Sequence, residues 1–409
     1  MNFIDLFAGA GGLSEGFIRA GFNPVAHVEM DAQAALTLKT RNCYYYLLEN
    51  NRLNEYHRYL RNEITRDELY DMVPESYLEN VIQSELNEKN MKVIFMQIDQ
   101  QISKKNCGQV DVIIGGPPCQ AYSLVGRAKD INGMLDDPRN YLYKQYVKVL
   151  KKYEPTFFVF ENVPGLRSAN GGATFKNINA LLRRVGYEVE AHELNAANFG
   201  VLQKRKRVII IGWRKGTGLK YPVFDQVMRN VTVSDLFTDL CPLEPGYERN
   251  QYVNEPGNFL LMTGIRTRDD VLSLHIARNH NDRDREIYRL AIKKWNESKQ
   301  RLKYTDLPEE LCTHNNRKSF LDRFKVVAAD LPYSHTMLAH IAKDGHYFIH
   351  PDITQRRSLS VREAARIQSF PDNYFFEGSR TAIFTQIGNA VPPVMAEGIA
   401  LGIREQLRG

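Results

Sequence analysis

The stretch GGPPCQAYS, Gly115 to Ser123, ends the apolar run DVII on two prolines and a cysteine. Structural cysteines usually sit on apolar faces as small hydrophobes. Here glycine and proline forbid regular structure on one side of Cys119, and polar residues follow on the other. The thiol is therefore presented rather than packed, as a nucleophile must be, although unpaired thiols elsewhere are mostly inert. Glu161, in the triplet ENV, closes the apolar run TFFVF and offers a carboxylate; the plain alternative is a strand-end acid facing water. In QKRKR, residues 203–207, Arg205 and Arg207 each carry a rigid fork of donors suited to a carbonyl or phosphate oxygen, or simply form a basic turn.

A second group of residues suits a bound nucleoside. DLFAGAGGLSEGF, residues 5–17, is a glycine turn between an expected strand and an expected helix, and such a turn lets a ligand approach the backbone at the carboxyl edge of a sheet. A dinucleotide fingerprint needs glycine five positions after Gly9, where Ser14 stands, and no phosphate-cradling G-x-x-x-x-G-K-[ST] occurs. A compact adenosyl cofactor without a pyrophosphate fits better. Glu29 ends the expected second strand, where a carboxylate accepts both ribose hydroxyls. Asp99 ends the expected third strand and accepts from the adenine amino group. By position alone, each acid is equally a solvated strand end or a helix cap.

The elements that would position these residues alternate along the first half. Strands are expected at 2–7, 24–29, 92–99, 111–116, 156–162, 187–194 and 207–213, several of them near-continuous apolar runs typical of strands buried on both faces. Helical patterns at 140–153 and 174–186 lie between them, the second stopped by Gly186. This is an α/β, doubly wound, Rossmann-like sheet. Residues 41–90 are too long for a crossover. TRDE (65–68) and SYLE (76–79) have the form of capping boxes, so the interval reads as a helical insertion. Its acidic residues outnumber its basic ones ten to six, which makes it a poor DNA face. From 214 to 355 the alternation fades into loops and a basic helical stretch, 284–303, which is expected to form a second domain.

The 409 residues allow a large core and two domains, with 43% hydrophobic and 25% charged residues. No apolar run reaches membrane-spanning length and no signal peptide precedes the first strand, so a cytoplasmic protein without a membrane partner is expected. Five widely spaced cysteines with no C-x-x-C pair argue against a disulfide framework or zinc ribbon. The histidine spacings of the second half match no zinc pattern, so no metal is expected. A net charge of +6 is compatible with a polyanionic partner without requiring one.

Six blocks, in this order, resemble the DNA cytosine-5 methyltransferase family, in particular its bacterial restriction-modification type. They are DLFAGAGGLSEGF, GGPPCQAYS, ENV, QKRKR, RSLSVREAARIQSFPD (357–372) and QIGNAVPP (386–393). The resemblance implies an S-adenosylmethionine-dependent methyltransferase fold with a smaller DNA-recognition domain. Its expected extents are 1–213 for the catalytic domain, 214–385 for target recognition and its support, and 386–409 for a segment returning to the sheet. It implies a cofactor site of Phe7, Gly9, Gly11, Gly12, Leu13, Glu29, Met30, Asp99, Pro118 and Asn389. Met30 stands where the family often carries tryptophan. Cys119, Glu161, Arg205 and Arg207 would line the cytosine pocket. Ser123, Arg283, Arg285, Arg289, Lys293 and Lys294 are assigned to DNA, the last five as phosphate grips.

The implied chemistry explains the stiff corner. Carbon 5 of cytosine is too weak a nucleophile to attack a methyl sulfonium. A thiolate adding to carbon 6 makes it enamine-like; methyl transfer follows, and loss of the carbon-5 proton expels the thiol. A base stacked in duplex DNA must first be flipped out. Double-stranded DNA is the expected partner, with a cognate restriction endonuclease alongside and a monomeric enzyme. An RNA cytosine-5 methyltransferase and a catalytically silent nucleic-acid-binding protein remain the rival readings.

Overall fold

In the computed structural model, residues 1–118, 142–227, 230–313 and 320–409 are described. Cys119 and Ser123 lie outside the described residues. The apolar runs become β1 (Asn2–Leu6), β2 (Asn23–Glu29), β4 (Val112–Gly115), β5 (Phe157–Asn162), β6 (Tyr187–Asn195) and β7 (Lys206–Arg214), with a three-residue β3 (Val81–Gln83). They form one sheet of order β3-β2-β1-β4-β5-β7-β6. All neighbours pair in parallel except β7, which is antiparallel to both β5 and β6.

Alternation along each strand explains why the runs look uniformly apolar. Ile4, Ile113, Phe158, Phe160, Val208 and Ile210 face one layer, packed with Ile94, Tyr146, Leu150, Ile178 and Leu182 from three helices. Phe3, Val112, Ile114, Val159, Ile209 and Ile211 face the other, packed with Phe17 of α1 (Gly12–Arg19) and with Met395, Ile399 and Ile403 of the closing helix Pro393–Arg408.

The third strand is corrected. Residues 92–99 are not a strand but the middle of a helix, because Met91, Ile94, Ile98 and Gln101 recur at helical spacing and are the positions it buries. The elements before it are α2 (Ala32–Glu49), α3 (Leu53–Leu60), α4 (Arg66–Asp71) and α5 (Glu75–Glu79); the helix itself is α6 (Met91–Lys104). The true third strand, β3, lies inside the interval read as an insertion and pairs His27 with Val81 and Glu29 with Gln83. The Thr65–Glu68 capping box forms. The expected Ser76–Glu79 box does not, since Pro74 caps α5 without a side-chain bond.

The insertion is a helical layer around a tyrosine-rich core: Cys43, Tyr44, Leu47, Tyr56, Tyr59, Leu60 and Leu69, with Val271 and Phe375 packed against them. It therefore touches the second half as well as the sheet.

After β7 the chain forms short helices and loops. Ala10 and Leu202 of the sheet half share one core with Val233, Phe259, Met337, Phe348, Ile367 and Phe384, so packing continues across the expected boundary at 213/214. Under that core the helix Val361–Ile367 buries a cationic ladder. Arg366 bonds Asp239 and Asp372, and Arg357 forks onto Glu363. Among the described residues no helix is long and apolar enough to cross a membrane.

Candidate active site

The chemistry-bearing residues gather where β1, β2, β4 and β5 end. The chain leaves β1 through Phe7, at φ +57°, and Gly9, at φ +54°. The Gly9 amide donates to Glu29 Oε2 at 2.7 Å, and the Asp31 amide donates to Glu29 Oε1 at 2.7 Å. Burial raises the Glu29 carboxyl above the ordinary carboxylate range, while the amide donors work against the rise. Among the described residues, a side chain grown from Gly9 would meet nothing within 4 Å, so they leave room beside this carboxylate. Met30, next to it, is 61% exposed.

The other cofactor assignments divide. Gly12 does not face that space: a Cβ there would sit 2.3 Å from the Val391 carbonyl. Its bareness admits the returning C-terminal segment. Leu13 is core between sheet and closing helix. Gly11, at φ +76°, caps the start of α1. Asn389 ends the helix Arg380–Asn389 and is exposed. Asp99 is corrected along with its strand. It lies on the outer side of α6, paired with Lys152 Nζ at 2.5 Å and accepting from the Tyr153 hydroxyl at 2.9 Å, rather than at a strand end.

Beside the turn, β4 runs into Gly116, Pro117 and Pro118, the last described residues before Cys119. Asn162 Nδ2 donates to the Pro117 carbonyl at 3.2 Å and ties this segment to the end of β5. Glu161 stands next to it: a Cβ on Gly116 would lie 2.6 Å from Glu161 Oε2. Arg207 Nε meets Glu161 Oε1 at 2.7 Å, with only 10% and 12% of the two side chains exposed. A largely buried carboxylate–guanidinium pair thus stands beside Gly116, three positions before Cys119 in the sequence.

Arg205 is placed differently from its expectation. It has no exposed surface. Its guanidinium donates to the carbonyls of Met337 at 2.6 Å, Gly388 at 3.1 Å and Asn389 at 3.4 Å. It is a tie between the start of β7, the second half and the C-terminal segment, with both terminal nitrogens bonded to the protein and Nε buried without a partner among the described residues. Gln203, which was not singled out, has a parallel role: its amide bonds the Ile367 carbonyl, Gln368 and the Met337 amide. The only signal was its place in QKRKR.

The expected phosphate grips lie on the helix Asp282–Ser298, and each has an acidic partner of its own. Arg283 pairs with Asp284 at 3.3 Å, Arg285 with Asp282 at 3.5 Å, Arg289 with Glu286 at 2.6 Å and Lys293 with Glu297 at 3.8 Å; Lys294 pairs with Asp306. The buried histidines also have protein partners: His275 bonds Ser360 and the Cys241 carbonyl, and His346 bonds Tyr288.

Known proteins match along the whole chain. A type II methyltransferase of Bacillus paralicheniformis, M.Bpa9945I, is 42% identical over all of both chains. M1.HphI, a type II methyltransferase of Haemophilus parahaemolyticus, is 31% identical over 98% of this chain and 86% of its own. Among solved structures, a protein encoded within an E. coli prophage superposes with a TM-score of 0.65 over the full length of both chains at 23% identity, a likeness of fold. An Entamoeba histolytica methyltransferase, EhMeth, superposes at 0.58 and 14% identity, covering 100% of this chain and 99% of its own. The sheet, the turn after β1 and the Glu161–Arg207 pair therefore sit in a chain that matches the C-5 cytosine-specific DNA methylase family over residues 1–67 and 75–405, and that belongs to it as a DNA cytosine-5 methyltransferase.

Proposed function

We propose that the chain methylates carbon 5 of a cytosine flipped out of a specific duplex sequence, through a covalent bond between Cys119 Sγ and carbon 6. The observation that carries this reading is the Glu161–Arg207 pair beside the Gly116–Pro118 segment, one residue short of the thiol. Glu161 would accept from the ring amino group and pass a proton to N3, neutralising the charge that gathers there as the adduct forms, while Arg207 would hold the ring's O2 carbonyl. A free thiol is only a few per cent ionised at neutral pH, so a neighbouring guanidinium favours the attacking anion. The pair of electrons from sulfur forms the carbon–sulfur bond. After methyl transfer, solvent takes the carbon-5 proton, the C–H pair re-forms the carbon 5–carbon 6 double bond, and the carbon–sulfur pair returns to sulfur.

S-adenosylmethionine, when bound, supplies the methyl group. The residues present suit it: Glu29, buried beside the turn at Gly9, would accept the ribose hydroxyls, and the exposed Met30 would lie beside the adenine. Residues 214–355 would read the target in the major groove. The likeness to type II methyltransferases supports a companion endonuclease acting on the same site.

The test is a duplex carrying 5-fluorocytosine, from which the ring cannot lose a proton at carbon 5. A stable adduct mapping to Cys119 is expected. Cys119→Ser is expected to abolish transfer while S-adenosylmethionine still binds. An adduct on another residue, or an active serine variant, would overturn the reading.

A further inference from the structure

The turn after β1 places Phe7, Gly9 and Gly11 all at positive φ. Such a backbone persists only where its surroundings hold it. What holds it comes from far away in the chain. The Tyr374 side chain, 1% exposed, donates its hydroxyl to the Ala10 carbonyl at 2.5 Å. A Cβ on Gly11 would lie 2.8 Å from that hydroxyl, so ring and turn are in close contact.

Tyr374 is itself clamped. Arg41, 5% exposed on α2, lies with its guanidinium carbon 4.7 Å from the Tyr374 ring centre and 4.0 Å from that of Tyr44. Its Nε and Nη2 fork onto Glu15 in the first turn of α1 at 2.9 and 2.5 Å. Its Nη1 donates to Asn373 Oδ1 at 2.9 Å and to the Asn373 carbonyl at 3.3 Å. The Tyr56 hydroxyl donates to the same carbonyl at 2.9 Å. One buried guanidinium thus joins α1, α2 and the segment that follows FPD. Burial alone would press its charge down; Glu15, then the tyrosines, hold it up, so Arg41 stays a cation in the core.

We propose that Arg41 and Tyr374 are positioning residues for the methyl donor: the Glu15–Arg41–Asn373/Tyr374 cluster sets the turn at Ala10, and with it the Gly9 amide that orients Glu29. The proposal rests on the reading of this turn as the S-adenosylmethionine site. It also gives part of the insertion a task, since α2 and α3 supply Arg41, Tyr44 and Tyr56. A cluster serving only stability would need no hydroxyl aimed at one carbonyl of the turn, and apolar packing of similar volume would replace a buried ion pair without loss.

The experiment compares Tyr374→Phe, Arg41→Lys and Tyr59→Phe in the full chain. Tyr59 donates to Glu377 at 2.7 Å, in the same layer but away from the turn. For each variant, S-adenosylmethionine affinity is measured by calorimetry, with KM for a duplex substrate, kcat and Tm alongside. Tyr374→Phe leaves the ring in place and one buried carbonyl unpaired, so donor affinity is expected to fall about tenfold, with duplex KM unchanged. Arg41→Lys keeps the charge but loses the fork, and its loss is expected in the same direction. Tyr59→Phe is expected to lower Tm without weakening donor binding. Wild-type donor affinity in Tyr374→Phe would overturn the proposal, as would a loss in it that merely tracks Tm as in Tyr59→Phe. Glu29→Ala separates the two layers of inference: if it also binds the donor normally, the site reading fails; if it alone binds weakly, only the clamp fails.

Discussion

Glu29 and Glu161 are both strand-end acids, yet their surroundings give them opposite tasks. Glu161 has a guanidinium at 2.7 Å, and in the proposed mechanism it meets a neutral ring that gains charge. Among the described residues Glu29 is bonded by backbone amides alone, and burial raises its carboxyl above the ordinary range. That rise has a sign that can be tested. In the proposed role the ionised form accepts both ribose hydroxyls, whereas the protonated form has one oxygen turned donor. Donor affinity is therefore expected to be full near neutrality and to fall as pH drops through the raised pKa, earlier than an ordinary carboxylate would give. The fold itself gains from protonating Glu29, because a buried carboxyl with a raised pKa is relieved as it becomes neutral. Affinity thus falls with no unfolding caused by this group. Titration calorimetry from pH 7.5 to 5 checks it, with Glu29→Gln binding weakly at every pH. A profile equally steep in the glutamine variant would place the titrating group elsewhere.

At the scale of elements, the helix Asp282–Ser298 rests on a small core of its own: Ile287, Tyr288, Ala291, Ile292, Tyr304 and Phe324. Its wall is histidine. The Tyr288 hydroxyl bonds His346 Nδ1 at 2.8 Å, and His280 Nε2 bonds Ser358 at 3.0 Å. Burial first, then His346 and nearby arginines, presses His280 down to about 3; burial, then Arg357, presses His350 to about 4. A histidine depressed in this way stabilises the fold above its unfolded pKa of about 6.5. That stability is lost as pH falls toward the folded value, about 2 kcal/mol for each such residue by pH 5. Urea unfolding at pH 7 and pH 5 is expected to show this loss, reduced in His350→Gln; equal stability at both pH values would refute it. Nothing in the sequence separated these histidines from solvent-facing ones, because their burial depends on partners such as Ser358, 78 residues away. The strands were legible because burial on both faces leaves an unbroken apolar run. The run at 92–99 misled for the opposite reason: Val93 and Met96 lie exposed on α6 and fill the gaps that would mark a helix. Arg205 and Arg207 looked equivalent two residues apart, but β7 begins only at Lys206, so strand alternation never relates them.

At the scale of the whole molecule, specificity is a question of which part can be exchanged. The segment 214–355 lies in the chain between the pocket residues and the buried Arg366 ladder, and is the proposed reader of flanking bases. Yet it is not a separate body: Val233, Leu236, Phe259, Leu260, Met337 and Phe348 fill the same core as Ala10, Leu202, Leu359 and Ile387. Exchanging all of it with a relative would replace half of a close-packed interior while leaving the other half, and overpacking or cavities there cost about 1–5 kcal/mol per mismatched site. The satellite around the helix Asp282–Ser298 has its own core, which Val326 and Ile349 complete, and is tied to the following segment by Tyr288 on His346, Trp295 and Lys299 on Asp330, and Arg323 on Asp344. Its basic residues are paired with neighbouring acids, so phosphate contacts there would have to compete with those partners, and base contacts would carry more of the discrimination. Transplanting residues 281–324 from a relative of different specificity is therefore expected to give a folded, active enzyme whose methylation moves toward the donor's sequence. The exchange of 214–355 is expected to lower Tm sharply unless core residues are matched. Bisulfite sequencing of DNA from cells expressing each chimera, with Tm measured on the purified proteins, decides it. A stable 281–324 chimera that still methylates only the original site would locate recognition in the loops that share the main core.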